Sequence, residues 1–168
     1  MKKFVKYISQ KFMFLFLKKS KNLNQQQEVM EPMEVQTRPK METIWIDLAL
    51  RLSSRSTCTR LKVGSVITDK NLERVYSVGY NGGAKGQSNK CESTKPGQCG
   101  HIHSEINALI KCSTPDKEKI LFVTTLPCNV CAKAIVNSGF IKVYYSQEWR
   151  DSSAFKIFKK ANIQYEQI

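Results

Sequence analysis

The sequence lacks a hydrophobic run long enough to cross a bilayer, and it is poor in acidic residues. The apolar run F-M-F-L-F-L at residues 12–17 is about a third of the length that a transmembrane helix needs. No small-residue cleavage site follows it, so we do not expect export through a signal peptide. Only 14 Asp and Glu residues oppose 27 Lys and Arg residues, for a net charge of +13. That balance favours an anionic partner, such as a nucleotide, a nucleic acid or a membrane surface.

Internal repeats are also lacking, and the 168 residues suffice for one domain with a core but not for two substantial ones. Residues 1–21 mix lysines with the apolar run, and residues 22–40 are typical of a polar linker. We expect residues 1–40 to lie outside the fold and residues 41–168 to form the domain. Two alternatives for the leader are an amphipathic helix on an anionic membrane and a start assigned too far upstream. We expect no membrane contact.

Six cysteines would suggest three disulfides in an exported protein, but several of them have the spacing of metal ligands. Without an export signal, we expect the chain to work in the reducing cytoplasm with its thiols free.

Hydrophobic periodicity predicts alternating helices and strands beyond residue 41. The predicted helices cover residues 42–54, 103–112, 128–138 and 152–161, and the predicted strands cover 62–68, 74–80, 120–125, 140–145 and 163–166. This alternation predicts one sheet between layers of helices. A polar loop of about 20 residues, ending near Gly100, is long for a compact domain unless something functional orders it.

Two short motifs carry the chemistry, H-S-E at residues 103–105 and P-C-N-V-C at residues 127–131. Zinc binds nitrogen and sulfur ligands and keeps an open position when it is catalytic. His103, Cys128 and Cys131 supply three ligands, and water in the fourth position becomes acidic near neutral pH. Glu105 can lie beside the metal in the first turn of a helix and carry protons.

Each motif alone is a weak signal. A lone C-x-x-C is equally a structural zinc half-site, a redox pair or a coincidence. Pro127 suits a helix start, so both motifs are expected at helix N-termini, where the macrodipole favours thiolate. Together and in this order, the motifs match those of zinc-dependent nucleobase deaminases.

Over residues 44–167 the sequence resembles the cytidine deaminase superfamily and, within it, the deoxycytidylate (dCMP) deaminases. The supporting segments are R-S-T-C-T-R-L-K-V-G at 55–64, G-Y-N-G at 79–82, H-S-E-I-N-A at 103–108, P-C-N-V-C at 127–131, V-Y-Y at 143–145 and R-D-S-S at 150–153. The resemblance implies an α/β fold, a three-layer α-β-α sandwich with a mixed five-stranded sheet. It also implies hydrolysis of dCMP to dUMP and ammonia, which supplies thymidylate synthesis, and a homo-oligomer that is a hexamer in regulated members.

The resemblance also implies roles for single residues. His103, Cys128 and Cys131 would hold the catalytic zinc, while Glu105 would take a proton from zinc-bound water and pass protons to N3 and the departing amine. The substrate candidates are Asn81, Arg60, Lys62 and Tyr144. A turn asparagine, surface charges and a core aromatic are the structural alternatives for these four residues.

Some dCMP deaminases have a second, structural zinc, and four further residues fit such a site. Cys58, Cys91, Cys99 and His101 form a set that could bind zinc tetrahedrally and order the long loop. The alternative is that these are ordinary buried or unpaired cysteines. Cys112 is expected to be a small apolar helix residue rather than a ligand.

The sequence departs from the family pattern at two places. Leu126 precedes Pro127 where the family usually has a small polar residue, so local substrate contacts are expected to differ. Regulated members have a proline in G-Y-N-G-x-P-x-G, where this chain has Ala84. Activation by dCTP with Mg²⁺ and inhibition by dTTP therefore stay open for this chain.

Two other functions stay open at this stage. A tRNA adenosine deaminase shares the zinc motif and would use the positive charge, whereas a zinc-stabilised nucleic-acid-binding or membrane-binding module would give Glu105 nothing to do. A free-cytidine deaminase fits less well, because its motif usually reads P-C-G-x-C and Asn129 occupies the glycine position here.

Overall fold

Amphipathic and β-rich segments alternate along the chain. The computed structural model describes residues 38–95 and 98–168. Within those ranges the chain forms four helices and five strands. In chain order they are α1 (Met41–Ser53), β1 (Gly64–Thr68), β2 (Val75–Tyr80), α2 (Ser104–Lys111), β3 (Lys119–Thr125), α3 (Asn129–Val136), β4 (Phe140–Gln147), α4 (Ser153–Lys160) and β5 (Gln164–Gln167). The leader and most of the linker expected at residues 1–40 lie outside the described residues, and the domain boundary near residue 41 stays a prediction.

The five strands form one mixed sheet in the order β2-β1-β3-β4-β5. Strand β1 is antiparallel to both β2 and β3, whereas β3, β4 and β5 run parallel. Every residue of β1 and β3 is buried, as expected for central strands that are covered on both faces. The mixed five-stranded sheet implied by the sequence is confirmed.

Alternation along the central strands divides the core into two clusters. Val66 of β1 and Phe122 of β3 belong to the cluster that contains Ile46 and Ala49 of α1. The next residue of β1, Ile67, belongs to the other cluster, which α2, α3 and α4 cover. Because successive side chains of a strand point to opposite faces, α1 forms one outer layer and the other three helices form the second.

Two glycines allow the helices to approach the sheet closely. A Cβ at Gly64 would collide with the carbonyl oxygen of Ala49 in α1, and one at Gly79 would collide with the carbonyl oxygen of Ser104 in α2. The absence of a side chain at Gly79 therefore lets the first turn of α2 pack directly on β2. That turn carries the H-S-E motif.

The long loop between β2 and α2 is closed at its base by two hydrogen bonds. Gly82 and Ile102 exchange backbone N–H···O bonds of 3.1 and 2.9 Å. Arg60, which precedes β1, also binds the loop: its Nη1 donates to the carbonyl oxygens of Ser93 and Lys95 at 3.0 and 3.1 Å. The loop is therefore tied to the segment that precedes β1.

In residues 38–95 and 98–168, none of the helices combines the length and apolar character that crossing a bilayer requires.

Asn81 joins the end of β2 to the segment that leads into β1. Its side-chain Oδ1 accepts the Val63 N–H at 2.8 Å, and its Nδ2 donates to the Leu61 carbonyl oxygen at 2.8 Å. The side chain is buried, with only 7% of the residue exposed. Removing it would leave the buried Val63 N–H and the partly buried Leu61 carbonyl oxygen without partners, which is costly.

We predict that Asn81→Ala lowers the free energy of unfolding by about 1–3 kcal/mol. Denaturant unfolding measures the change, and Asn71→Ala, at an exposed asparagine in the β1–β2 turn, is the matched control, expected within about 0.5 kcal/mol of the parent. Equal stability of the two variants would contradict this role for Asn81.

Candidate active site

The first turns of α2 and α3 bring three metal-binding side chains together. His103 and Cys128 are the N-cap residues of these helices, and Cys131 lies in the first turn of α3. The His103 Nδ1 atom is 3.3 Å from Cys131 Sγ and 3.5 Å from Cys128 Sγ. Zn–N and Zn–S bonds of about 2.05 and 2.3 Å at a tetrahedral angle separate nitrogen and sulfur by about 3.5 Å. These three residues, here called the His103 cluster, fit a single zinc ion.

The two thiols of the His103 cluster have pKa shifts in opposite directions. The hydrogen bond with Cys131, followed by that with His103, lowers the pKa of Cys128 to about 4, although burial opposes this. The same contact with Cys128, together with burial, raises the pKa of Cys131. The hydrogen bond with Cys128 raises the pKa of His103. Because a thiolate disfavours a second thiolate beside it, both sulfurs would be deprotonated only with a cation between them.

Glu105 is the second residue of α2 and is 4% exposed. Burial is the main cause that raises its pKa, because desolvation disfavours the charged form of a carboxyl group. In the described part of the chain, the ligand atoms of the His103 cluster all lie within 4.8 Å of one another, and the Glu105 carboxylate is not part of this group. Glu105 is thus placed to move protons beside the cluster rather than to bind the metal.

A cavity of about 920 Å³ opens above the His103 cluster and Glu105, within the range of about 300–1,000 Å³ that is usual for small-molecule sites. The loop after β4 supplies part of its wall with Trp149, Arg150 and Asp151. The Arg150 guanidinium lies 4.6 Å from the centroid of the Trp149 ring. The cavity therefore combines a buried reactive end with a cationic and aromatic wall.

Two of the four predicted substrate residues line this cavity, namely Asn81 and Arg60. Both already have partners, since Asn81 holds the segment before β1 and Arg60 holds the long loop. Lys62 is exposed and is not one of the lining residues. Contact with a substrate would therefore use the second hydrogen of Asn81 Nδ2 and the remaining donors of Arg60.

Tyr144 is not brought to the cavity. It is 6% exposed and its ring stacks on Phe122 at 4.8 Å, in the core beneath α1. The next residue, Tyr145, belongs to the cluster on the opposite face, as strand alternation requires. The structure therefore places Tyr144 as a core aromatic, the structural alternative to a substrate contact.

The wall formed after β4 contains three residues that were not among the predicted site residues, namely Trp149, Arg150 and Asp151. The R-D-S-S segment at residues 150–153 supported the family resemblance only. The available signal was topological, because this segment follows β4, the parallel neighbour of β3, and so lies at the same sheet edge as the start of α3. Asn129 Nδ2 donates to Ser153 Oγ at 3.2 Å and links the two segments.

A second group of possible metal ligands lies beside the cavity. The ligand atoms of Cys58, Cys91 and His101, here called the Cys58 cluster, are within 4.8 Å of one another. Both ring nitrogens of His101 are buried and have no hydrogen-bond partner within residues 38–95 and 98–168, which is costly unless another group satisfies them. Burial alone would raise the pKa of Cys58, but hydrogen bonds from the Leu61 and Arg60 amides, together with the nearby His101 ring, lower it to about 7. This donor set fits a metal ion.

Cys99, the fourth expected ligand, does not join the Cys58 cluster in the part of the chain that is described. It is buried and lines the cavity instead. Cys112 follows α2 as its C-cap residue, with an extended backbone, and packs against the core. Leu126, where relatives usually have a small polar residue, is 2% exposed and contributes to both the core and the cavity wall.

Comparison with known proteins gives a consistent result. The family model described as "Cytidine and deoxycytidylate deaminase zinc-binding region" matches residues 39–147. The deoxycytidylate deaminase of Saccharomyces cerevisiae is 32% identical over 164 residues, which is 88% of this chain and 52% of that protein. The deoxycytidylate deaminase of Mycobacterium phage D29 is 34% identical over 128 residues, covering 67% of this chain and 98% of that protein. The chain thus spans about half the length of the yeast relative and nearly all of the phage one.

A solved structure agrees in both sequence and fold. The dCMP deaminase of the cyanophage S-TIM5, in complex with dCMP and dUMP, is 30% identical with a TM-score of 0.68 and covers 79% of this chain and 99% of that chain. Because the family model matches more than half of the chain and these relatives are at least 30% identical to it, this chain belongs to the cytidine and deoxycytidylate deaminase family.

Proposed function

We propose that this protein is a zinc-dependent dCMP deaminase, which hydrolyses dCMP to dUMP and ammonia and so supplies thymidylate synthesis. The observation that carries the proposal is the buried Glu105 beside the His103 cluster in a nucleotide-sized cavity. The similarity to a dCMP deaminase solved with dCMP and dUMP supports the choice of substrate.

The reaction replaces the exocyclic amino group of cytosine with oxygen. Zinc held by the His103 cluster would make water a sufficiently strong nucleophile near neutral pH. The Glu105 carboxylate accepts a proton from the attacking water, delivers one to ring N3 and assists transfer to the departing nitrogen. The C4–N4 bond breaks, ammonia leaves, and the carbonyl of uracil forms. General acid–base catalysis of this kind contributes about 10²–10⁴-fold to the rate.

Charges in the cavity wall indicate how the nucleotide lies. Glu105 is at the buried end, where the base must enter, and the guanidinium groups of Arg60 and Arg150 belong to the wall. Guanidinium groups bind phosphate oxygens well, so we place the 5′-phosphate at these arginines. Asn81 would orient the nucleoside with its remaining amide hydrogen, while Lys62, outside the cavity, would contribute only longer-range attraction.

We further propose that the Cys58 cluster binds a second, structural zinc ion. Such an ion would bind one of the two buried His101 ring nitrogens and join Cys91, in the long loop, to Cys58, which precedes β1. The fourth ligand stays open between Cys99 and water. Zinc at this position would hold the loop against the cavity wall.

Several expectations from the sequence stay predictions. A homo-oligomer, and a hexamer in particular, is one of them. Regulation by dCTP with Mg²⁺ stays open, because Ala84 stands where regulated members have a proline. A cytoplasmic location suits the six cysteines, all of which are free of disulfides.

The most direct rival is a tRNA adenosine deaminase, and the purified protein separates the two functions. We expect the protein to convert dCMP to dUMP and to release one ammonia for each dUMP formed. Little ammonia should be released from free cytidine or from tRNA. Ammonia release confined to tRNA would contradict dCMP as the substrate.

The role of Glu105 predicts a loss of chemistry without a loss of metal. We expect Glu105→Gln to reduce kcat by at least about 10²-fold while the zinc content at the His103 cluster is unchanged. Parallel assays of dUMP formation and metal content test this. The control is Glu92→Gln, which makes the same substitution at an exposed glutamate in the long loop. Full activity of Glu105→Gln would exclude the proposed role of Glu105.

The second site predicts a change in metal stoichiometry. We expect two zinc ions per chain in the parent protein and one in Cys91→Ser, whereas Cys112→Ser, a half-buried cysteine outside both clusters, should keep two. Elemental analysis of the purified variants provides the measurement. A parent protein that holds only one zinc ion would contradict zinc binding by the Cys58 cluster.

A further inference from the structure

A chain of hydroxyl groups runs from the central sheet to the catalytic carboxylate. Ser65 Oγ in β1 lies 2.7 Å from Ser104 Oγ in α2. Ser104 Oγ in turn donates to Glu105 Oε2 at 2.9 Å. Both serines have an exposed fraction of 0%, so water does not compete for these bonds.

The direction of the chain follows from the number of protons. A serine hydroxyl has one hydrogen and two lone pairs. Since Ser104 gives its hydrogen to Glu105, the bond between the serines can form only if Ser65 donates to Ser104. The order is therefore Ser65 to Ser104 to Glu105, and Ser65 reaches the carboxylate only through Ser104.

The packing around Ser104 keeps this chain in place. Gly79 of β2 approaches the Ser104 backbone closely enough to exclude a side chain. Ser65 belongs to β1, a strand that is buried throughout and paired on both sides. The hydroxyl chain thus connects Glu105 to a buried central strand of the sheet.

We propose that Ser104 and Ser65 are positioning residues for the deamination, which hold the Glu105 carboxylate in its productive orientation. Ser104 fixes Oε2 directly, and Ser65 fixes the Ser104 hydroxyl. A proton carrier must meet its partners within hydrogen-bond reach, and a small misplacement of a catalytic group costs about 100-fold in rate. This inference rests on the proposed function, because it assigns a role to groups that act through Glu105.

A purely structural role would have different consequences. Buried serines that merely satisfy each other would affect stability when removed, without a selective effect on the chemical step. Ser77 of β2 offers the comparison. Its hydroxyl is also buried and donates at 2.8 Å to the carbonyl oxygen of Ala108 in α2, the helix that carries Ser104. It has no bond to the hydroxyl chain.

The experiment compares Ser104→Ala, Ser65→Ala, their double variant and Ser77→Ala in steady-state kinetics with dCMP. We expect Ser104→Ala to lower kcat by about 10- to 100-fold with KM and zinc content unchanged. Ser65→Ala should lower kcat less, and Ser77→Ala should leave it within about 2-fold of the parent. Because Ser65 acts through Ser104, the double variant should match Ser104→Ala rather than show the product of the two effects.

Equal kcat values for Ser104→Ala and Ser77→Ala would overturn the proposal, and so would independent, multiplicative effects of the two serines. A crystal structure of Ser104→Ala gives a readout apart from activity, since the Glu105 carboxylate should lose its single orientation while Ser77→Ala keeps it. An undisturbed carboxylate in Ser104→Ala would also overturn it. If the parent protein does not deaminate dCMP, the proposed function is wrong. The orientation of the Glu105 carboxylate in the crystal structure of Ser104→Ala then still tests whether the two serines position it.

Discussion

The structure depends on one close approach, that of the first turns of α2 and α3 at a single edge of the sheet. There the His103 ring nitrogen lies 3.3 and 3.5 Å from two cysteine sulfurs, a separation that suits three ligands of one metal ion. Gly79 permits α2 to lie directly on β2, and α3 follows β3 after a turn that contains Pro127. The fully buried strands provide a rigid support, so the ligand positions follow from the packing of the core.

Much of the fold could be predicted from the sequence because its signals are local. Apolar residues at helical spacing placed the first helix at residues 42–54, and the structure has it at Met41–Ser53. The ligands His103, Cys128 and Cys131 could be named from residue type and spacing alone, since few other arrangements use them in this order. The structure brings these ligands together as the motif required.

Other features depend on tertiary contacts that a single sequence does not contain. In V-Y-Y at residues 143–145, alternation separates the two tyrosines, but nothing local says that Tyr144 faces α1. The position of Cys99 depends on a loop that Arg60 ties through backbone carbonyl groups. The contact of Ser65 with Ser104 joins residues that are 39 positions apart, and it arises only when α2 packs on the sheet. Such contacts decide which polar side chains support Glu105.

The central claim is that deamination of dCMP requires zinc at the His103 cluster. Its most direct test is to remove the metal with a chelator, measure ammonia release from dCMP, and then titrate zinc back. We expect the metal-free protein to be inactive and activity to return as zinc is restored, because the nucleophile depends on the metal. A metal-free protein that converts dCMP to dUMP at the original rate would contradict the account.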